Sequence, residues 1–238
     1  MKWVELYLGA YLLGGIPFGV LIARAKGIEL MSVGSGNIGA TNVNRALGPA
    51  WGVAVFVLDL LKGLTPALLA RLVTDRPELC LAAGGAAVLG HCASPFLKFR
   101  GGKGVSTMLG AVLGTSPLVA LSAFGLFCVL LAATRYMSLS AVIGVGSSPV
   151  FSLLIPGCAS LFWWYVLITG FSVYRHRANI RRLIRHEEPK FSFSKGREAS
   201  QNIGVPSNRE KVGQVQPVGE EMQGNSQAEG AAMAEADH

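Results

Sequence analysis

The chain has 238 residues, 51% of them hydrophobic and only 15% charged, where an average soluble domain carries about 25% charged residues. Its apolar residues stand in long runs rather than in the alternation of a half-buried element, which excludes an ordinary soluble fold and makes the bilayer the expected solvent. The net charge of +7 is uneven: residues 191–238 hold four Lys/Arg against seven Asp/Glu, leaving +10 on residues 1–190.

A helix needs about 20 apolar residues to cross a bilayer core. The runs 3–23, 50–70, 78–97 and 118–134 reach or approach that length, and 139–155 and 158–174 are parted by the tight turn Pro156-Gly157. The run 105–116 is short and ends at Ser116-Pro117. The expected fold is an all-α polytopic membrane protein of about seven transmembrane helices, one of them short, over residues 1–190. The Gln, Gly, Ser, Glu and Ala of 191–238 bury too little apolar surface to order a fold, so that stretch is expected to be a disordered polar tail. Ala23-Arg24-Ala25 imitates a signal-peptidase site, but only Lys2 precedes the first run and further spans follow, so cleavage is not expected. Cys80, Cys92, Cys128 and Cys158 lie in apolar runs without CxxC or ligand-spaced His, so no metal, cofactor or disulfide framework is expected.

Lys/Arg excess in short loops marks the cytoplasmic side. With the N-terminus outside and seven crossings, the inner segments carry 17 of the 21 basic residues, and only Lys2, Arg71 and Arg76 fall outside, with Lys62 inside a span. Six crossings would put Arg135 and the basic stretch from Arg175 outside. Seven are therefore expected, with the C-terminus in.

This topology gathers the polar loops on one face. In the first, Gly34, Gly36 and Gly39 stand among Ser35, Asn37, Thr41 and Asn42, with Arg45 following. Such a run is a turn or a backbone cradle for an anion, and Arg45 adds a planar fork suited to phosphate. The second, Lys98-Phe99-Arg100-Gly101-Gly102-Lys103-Gly104-Val105, opens an apolar helix, so it reads as an anion site at a helix start or as an anchor to anionic lipid. It is not a Walker A loop: Leu97 stands where the first glycine is required and Gly104 follows the lysine. The third, Tyr174 to Arg185, has Ile180, Leu183 and Ile184 at the spacing of an interfacial helix, with His176 and Asn179 on one face. Asp59 and Lys62, three apart within a span, read as a structural pair or a substrate path, and the intramembrane His91 is open in the same way. No Ser-His-Asp order, HxxxxD box or paired carboxylate stands on the inner face, so transfer chemistry here would rest on cations, hydroxyls and amide dipoles.

These residues resemble the membrane glycerol-3-phosphate acyltransferases that use acyl phosphate as donor, the PlsY family. Gly34 to Val43 with Arg45 is similar to its first motif. Gly90-His91, Leu97-Lys98-Phe99 and Gly101 to Val105 are similar to its second. Arg135-Tyr136, Ser138-Leu139-Ser140, His176-Arg177, Asn179-Ile180 and Glu188 are similar to its third region, and Asp59 to Gly63 fits its second span. The match runs in order over roughly 1–190, with Asn44 and Ala46 flanking Arg45 where the family usually has aliphatics.

The resemblance implies acyl transfer from acyl phosphate to the 1-hydroxyl of glycerol 3-phosphate, giving lysophosphatidic acid and phosphate, in the bacterial inner membrane with the site on the cytoplasmic side. It names Ser35, Arg45, Lys103, His176 and Asn179 as catalytic, and Gly36, Asn37, Thr41, Asn42, Gly101, Gly102, Gly104, Ser138 and Ser140 as substrate-binding. Asp59, Lys62, His91 and Glu188 are structural. Its partners are the two substrates, the lipid bilayer and the soluble enzyme that makes acyl phosphate, with no nucleic acid. The rival readings are a transporter of a phosphorylated metabolite, which an internal repeat would favour and none supports, and an acyl-CoA-dependent acyltransferase, which would need a larger basic surface.

Overall fold

Hydrocarbon offers no partner to a free backbone N–H or C=O, so a chain crossing it through apolar runs must close its hydrogen bonds within helices. A computed structural model describes residues 2–192, and among them it holds helices and no β-strand. All but Phe191 and Ser192 of the tail expected to be disordered lies outside the described residues.

The first run forms α1 (Lys2–Gly15) and α2 (Phe18–Ala25), broken at Ile16-Pro17. After a short loop come α3 (Ala40–Leu47), α4 (Pro49–Arg71) and α5 (Pro77–Cys92). Next are α6 (Val105–Thr115), α7 (Pro117–Thr134), α8 (Met137–Gly146) and α9 (Ser148–Leu154), the last two stacked into one span stepped at Ser147. The described chain ends with α10 (Phe162–Arg175) and α11 (Arg177–Ile184). The protein is a polytopic all-α membrane protein. Val53, Leu69, Leu121, Val129 and Leu167 stand on the exterior, while Asn42, Asp59, Lys62, His91, Ser138 and Asn179 are buried, the polarity expected of a protein dissolved in lipid.

Besides the break at Ile16-Pro17 and the step at Ser147, two further elements differ from expectation. The run over 78–97 ends as a helix at Cys92, because Ser94-Pro95 forces the chain extended and the following residues close a tight loop instead. Residues 40–47, expected within a loop, form α3. Val43 and Leu47 share one face there, and Gly48, at φ +93°, ends the helix directly before Pro49 begins the next.

Glycines set the closest helix crossings. A Cβ on Gly63 would strike the Thr107 carbonyl and one on Gly110 the Leu60 carbonyl, so α4 and α6 meet backbone to backbone. The eleven-residue α6 is thus lined by protein, with Thr107, Met108, Gly110, Ala111 and Val112 buried. Gly14 against Ala87 and Gly90 against Tyr11 do the same for α1 and α5.

The break at Pro17 frees carbonyls in an apolar surround, and three side chains close around it. Ser94 donates to the Gly15 carbonyl at 2.6 Å, the Lys62 ammonium donates to the Ile16 carbonyl, and Tyr11 OH reaches the Ala93 carbonyl at 2.7 Å. Lys62 also pairs with Asp59 at 2.7 Å and lies over the Phe18 ring, with both charged groups almost fully buried. Removing one partner of such a pair strands the other charge, at a cost of about 3–5 kcal/mol, whereas removing both charges is far milder. Lys62→Met alone is therefore expected to depress the detergent melting temperature sharply, and Asp59→Asn with Lys62→Met to recover much of it. A double variant as unstable as the single would refute a structural pair.

Candidate active site

The site builds from Gly39, whose extended backbone starts α3 and whose N–H donates to Asn37 Oδ1 at 2.9 Å. From the buried first turn of α3, Asn42 organises the loop before it. Its Nδ2 donates to the Leu30 and Val33 carbonyls at 3.2 and 3.0 Å, and its Oδ1 accepts the Ser35 N–H at 3.0 Å. Gly34 and Gly36 take the positive φ values, +58° and +64°, that turn the chain tightly there. Ser35 is held exposed at the tip. One turn on from Asn42, Arg45 runs past Gly34, where an added Cβ would sit 4.0 Å from Arg45 Cδ.

The second loop returns beneath the end of α5. The Gly102 N–H donates to the His91 carbonyl at 3.1 Å, and a side chain on Gly102 would collide with the His91 ring. Gly101 likewise abuts the Cys92 backbone. These two glycines permit close approach of loop to helix. Gly104, at φ +78°, precedes α6, whose first-turn amides no side chain caps.

The third region closes over them. Lys103 Nζ donates to Asn179 Oδ1 at 2.6 Å, and Asn179 Nδ2 donates to Glu188 Oε1 at 2.7 Å. Glu188 also accepts from Ser138 Oγ at 2.7 Å and Arg182 Nε at 2.8 Å. Burial would raise the Glu188 pKa, but the bonds from Ser138, Asn179 and Arg182 hold it below the ordinary carboxylate value. Arg175 reaches across to the carbonyls of Gly101 and Gly102. The segment after α11 packs back: the Phe191 N–H donates to the Arg135 carbonyl at 2.6 Å, and Asn44 Nδ2 to the Ser192 carbonyl at 3.3 Å.

Electrostatically the site is cationic. Burial pushes the Lys103 ammonium down to about 8; Glu188 resists that shift, and Arg182, Arg45 and Arg175 reinforce it. His176 Nδ1 must donate to the Ser172 carbonyl, 2.9 Å away, which leaves Nε2 as the acceptor of a neutral ring. Burial, with Lys103 and Arg175 adding to it, takes His176 down to about 4 despite the Ser172 bond and Glu188.

Arg45, Lys103, His176, Asn179, Ser138 and Glu188 thus converge from α3, the loop before α6, α8 and the α10–α11 junction. Asn42 and Ser140 are placed differently from simple substrate ligands: Asn42 is engaged at both ends of its amide, and the fully buried Ser140 hydroxyl donates to the Tyr136 carbonyl at 2.9 Å. Thr41 sits half-buried on α3. Asp59 and Lys62 lie deeper, and His91 connects them to the loop, its Nδ1 3.6 Å from Asp59 Oδ1. Sequence reasoning passed over Arg182, legible at three residues from Asn179 on one helix face, and Arg175, which no spacing marked.

Comparison with known proteins gives the chain's family and fold relatives. The glycerol-3-phosphate acyltransferase family model matches residues 4–186. A glycerol-3-phosphate acyltransferase of Geotalea daltonii is 46% identical over 181 residues, covering 76% of this chain and 93% of the relative. That of Aquifex aeolicus is 44% identical over 192 residues, covering 80% and 100%. A crystal structure of PlsY, an integral membrane glycerol 3-phosphate acyltransferase, in its glycerol 3-phosphate form has a TM-score of 0.76 at 42% identity, covering 81% of this chain and 96% of that one. The lysophosphatidic acid form gives 0.75 at 41% identity, with 81% and 97% covered. From the first span to the end of α11, the chain belongs to the glycerol-3-phosphate acyltransferase family.

Proposed function

We propose that this membrane acyltransferase moves a fatty acyl group from acyl phosphate to the 1-hydroxyl of glycerol 3-phosphate, using Ser35, Arg45, Lys103, His176 and Asn179. One observation carries the reading: the cationic cluster around Lys103 stands at the uncapped start of α6, and an apolar cleft runs from Val105 past Met108, Phe124, Phe127, Ala141 and Val145. A phosphate at one end and a fatty chain along the other fit the two halves of an acyl phosphate.

The hydroxyl oxygen attacks the acyl carbonyl carbon, the carbonyl oxygen gathers negative charge, and the bond from carbon to phosphate oxygen breaks. The hydroxyl proton leaves on inorganic phosphate. Because the donor is already activated, alignment and stabilisation of the oxyanion by Lys103, Arg45 and nearby amides can carry the step without a strong protein base. The neutral His176 suits a positioning acceptor better than a cationic acid.

The loops support an inward-facing site in the bacterial inner membrane. Residues 71–75, 115–118 and 155–158 meet around one cavity of about 320 Å³ at one end of the bundle, and the cationic loops meet at the other. By the positive-inside rule the second end is cytoplasmic. There the soluble enzyme that makes acyl phosphate could deliver its product. Reporter fusions after Arg71 and Pro156 are expected to read as external; a cytoplasmic signal at either point would overturn seven crossings with the N-terminus out.

For donor choice, purified protein with labelled glycerol 3-phosphate is expected to turn over palmitoyl phosphate and not palmitoyl-CoA or acyl carrier protein thioesters. Equal rates with a thioester would move the chain to acyl-CoA-type chemistry.

Lys103 and the exposed Lys98 share a loop and would behave alike if it only anchored to lipid, at about 1 kcal/mol per charge. Losing a buried partner of a substrate phosphate costs about 2–5 kcal/mol, roughly thirtyfold to several thousandfold in rate. Lys103→Ala should lose that much kcat/KM as folded protein, and Lys98→Ala severalfold at most. Lys103 binds phosphate only while protonated, so kcat/KM is expected to fall above about pH 8, whereas His176, neutral above about 4, adds no limb near pH 6–7. Equal losses in the two lysine variants would return the loop to lipid anchoring.

A further inference from the structure

Arg175 ends α10 and has no place in the chemistry above, yet it is wedged into the site. Its Nη2 donates to the carbonyls of both Gly101 and Gly102, and its Nε is buried without a hydrogen-bond partner. The peptide between Gly101 and Gly102 is therefore gripped along both edges, its carbonyl by Arg175 and its N–H by the His91 carbonyl. In the next peptide Arg175 holds the Gly102 carbonyl. Because a trans peptide points its N–H opposite to its C=O, the Lys103 N–H is turned away from Arg175. The Lys103 side chain is in turn fixed by Asn179, four residues along from Arg175. The α10–α11 junction thus sets both the backbone and the side chain of Lys103.

We propose that Arg175 is a positioning residue for acyl transfer: by clamping the Gly101 and Gly102 carbonyls it aims the Lys103 amide and ammonium at the substrate phosphate. A free carbonyl in this loop would present a partial negative charge to the same anion. The inference rests on the reading that the Lys103 loop holds a substrate phosphate. Both bonds come from one nitrogen, Nη2, so an ammonium in the same place can make them, which makes lysine the conservative substitution.

The experiment compares full-length Arg175→Met, Arg175→Gln, Arg175→Lys and Lys103→Ala in detergent, reading melting temperature, KM for glycerol 3-phosphate, kcat, and the pH profile of kcat/KM. Arg175→Met is expected to raise KM about tenfold or more, more than it lowers kcat, as loss of two charge-assisted hydrogen bonds implies. Arg175→Lys should recover most of that defect. The cation at Arg175 disfavours protonated Lys103, so its removal should move the alkaline limb to higher pH, and the lysine variant should restore it. A merely loosened helix end would lower melting temperature and kcat without a loss weighted to KM, and lysine would not rescue it.

Should the methionine variant fail to fold, the glutamine variant supplies the neutral arm. A KM within twofold of the parent in the neutral variant, a limb that stays in place, or a lysine variant no better than the neutral one overturns the assignment while leaving the phosphate-loop reading intact, provided Lys103→Ala is crippled. A Lys103→Ala variant with parental kinetics fells the underlying reading, and the inference with it.

Discussion

The structure depends on one obligation: carbonyls released where the first span breaks must find partners in a medium without water. Pro17 has no N–H to donate, and the Gly15 and Ile16 carbonyls lie inside the bundle. Ser94 and Lys62 satisfy them, from the loop after α5 and from α4. Lys62 then needs a counter-charge, which Asp59 supplies, and His91 stands next to Asp59 with its backbone carbonyl on Gly102. The break is thus coupled, contact by contact, to the loop that carries Lys103.

The second constraint is charge. Arg45, Lys103, Arg175 and Arg182 repel one another, and in low dielectric that repulsion is severe. Glu188 is the carboxylate that relieves it. It ties α8 through Ser138 and α11 through Asn179 and Arg182, and its bond to Asn179 orients the oxygen that receives Lys103. A positive excess remains after this pairing. Such an excess is costly in an empty cavity and favourable around an anion, which is the electrostatic basis of the proposed phosphate site.

The apolar runs and the loop charges made the helical membrane fold legible, because spans must be long and hydrophobic whatever they pack against. The loop motifs were legible for a different reason: Gly101 to Gly104 and Asn37 to Arg45 keep chemistry-bearing residues close in sequence. What could not be read was partnership across the chain. No motif spacing announced that Asn42 bonds the Leu30 and Val33 carbonyls, or that the Ser140 hydroxyl bonds the Tyr136 carbonyl one turn back. Arg175 looked like one of many interfacial arginines, and only its reach across more than 70 residues distinguishes it. α3 was hidden because its eight residues are polar on average, although Gly48-Pro49 marked its end.

The division between the two ends of α6 ties structure to chemistry. Its first turn, uncapped and flanked by Lys103, is arranged for an anion, while its flank facing α7 and α8 offers only apolar side chains. An amphiphilic donor placed along that axis has its phosphate fixed by charge and its chain by exclusion from water. Its reactive carbonyl then falls at the boundary between the two regimes. In the proposed reaction the cations and amide dipoles there would act with little screening, and the polar acceptor would meet the carbonyl from the loop side. Eleven residues suffice for α6 because protein packs against it through Gly110 and Ala111, and its start adjoins the loop that carries Lys103.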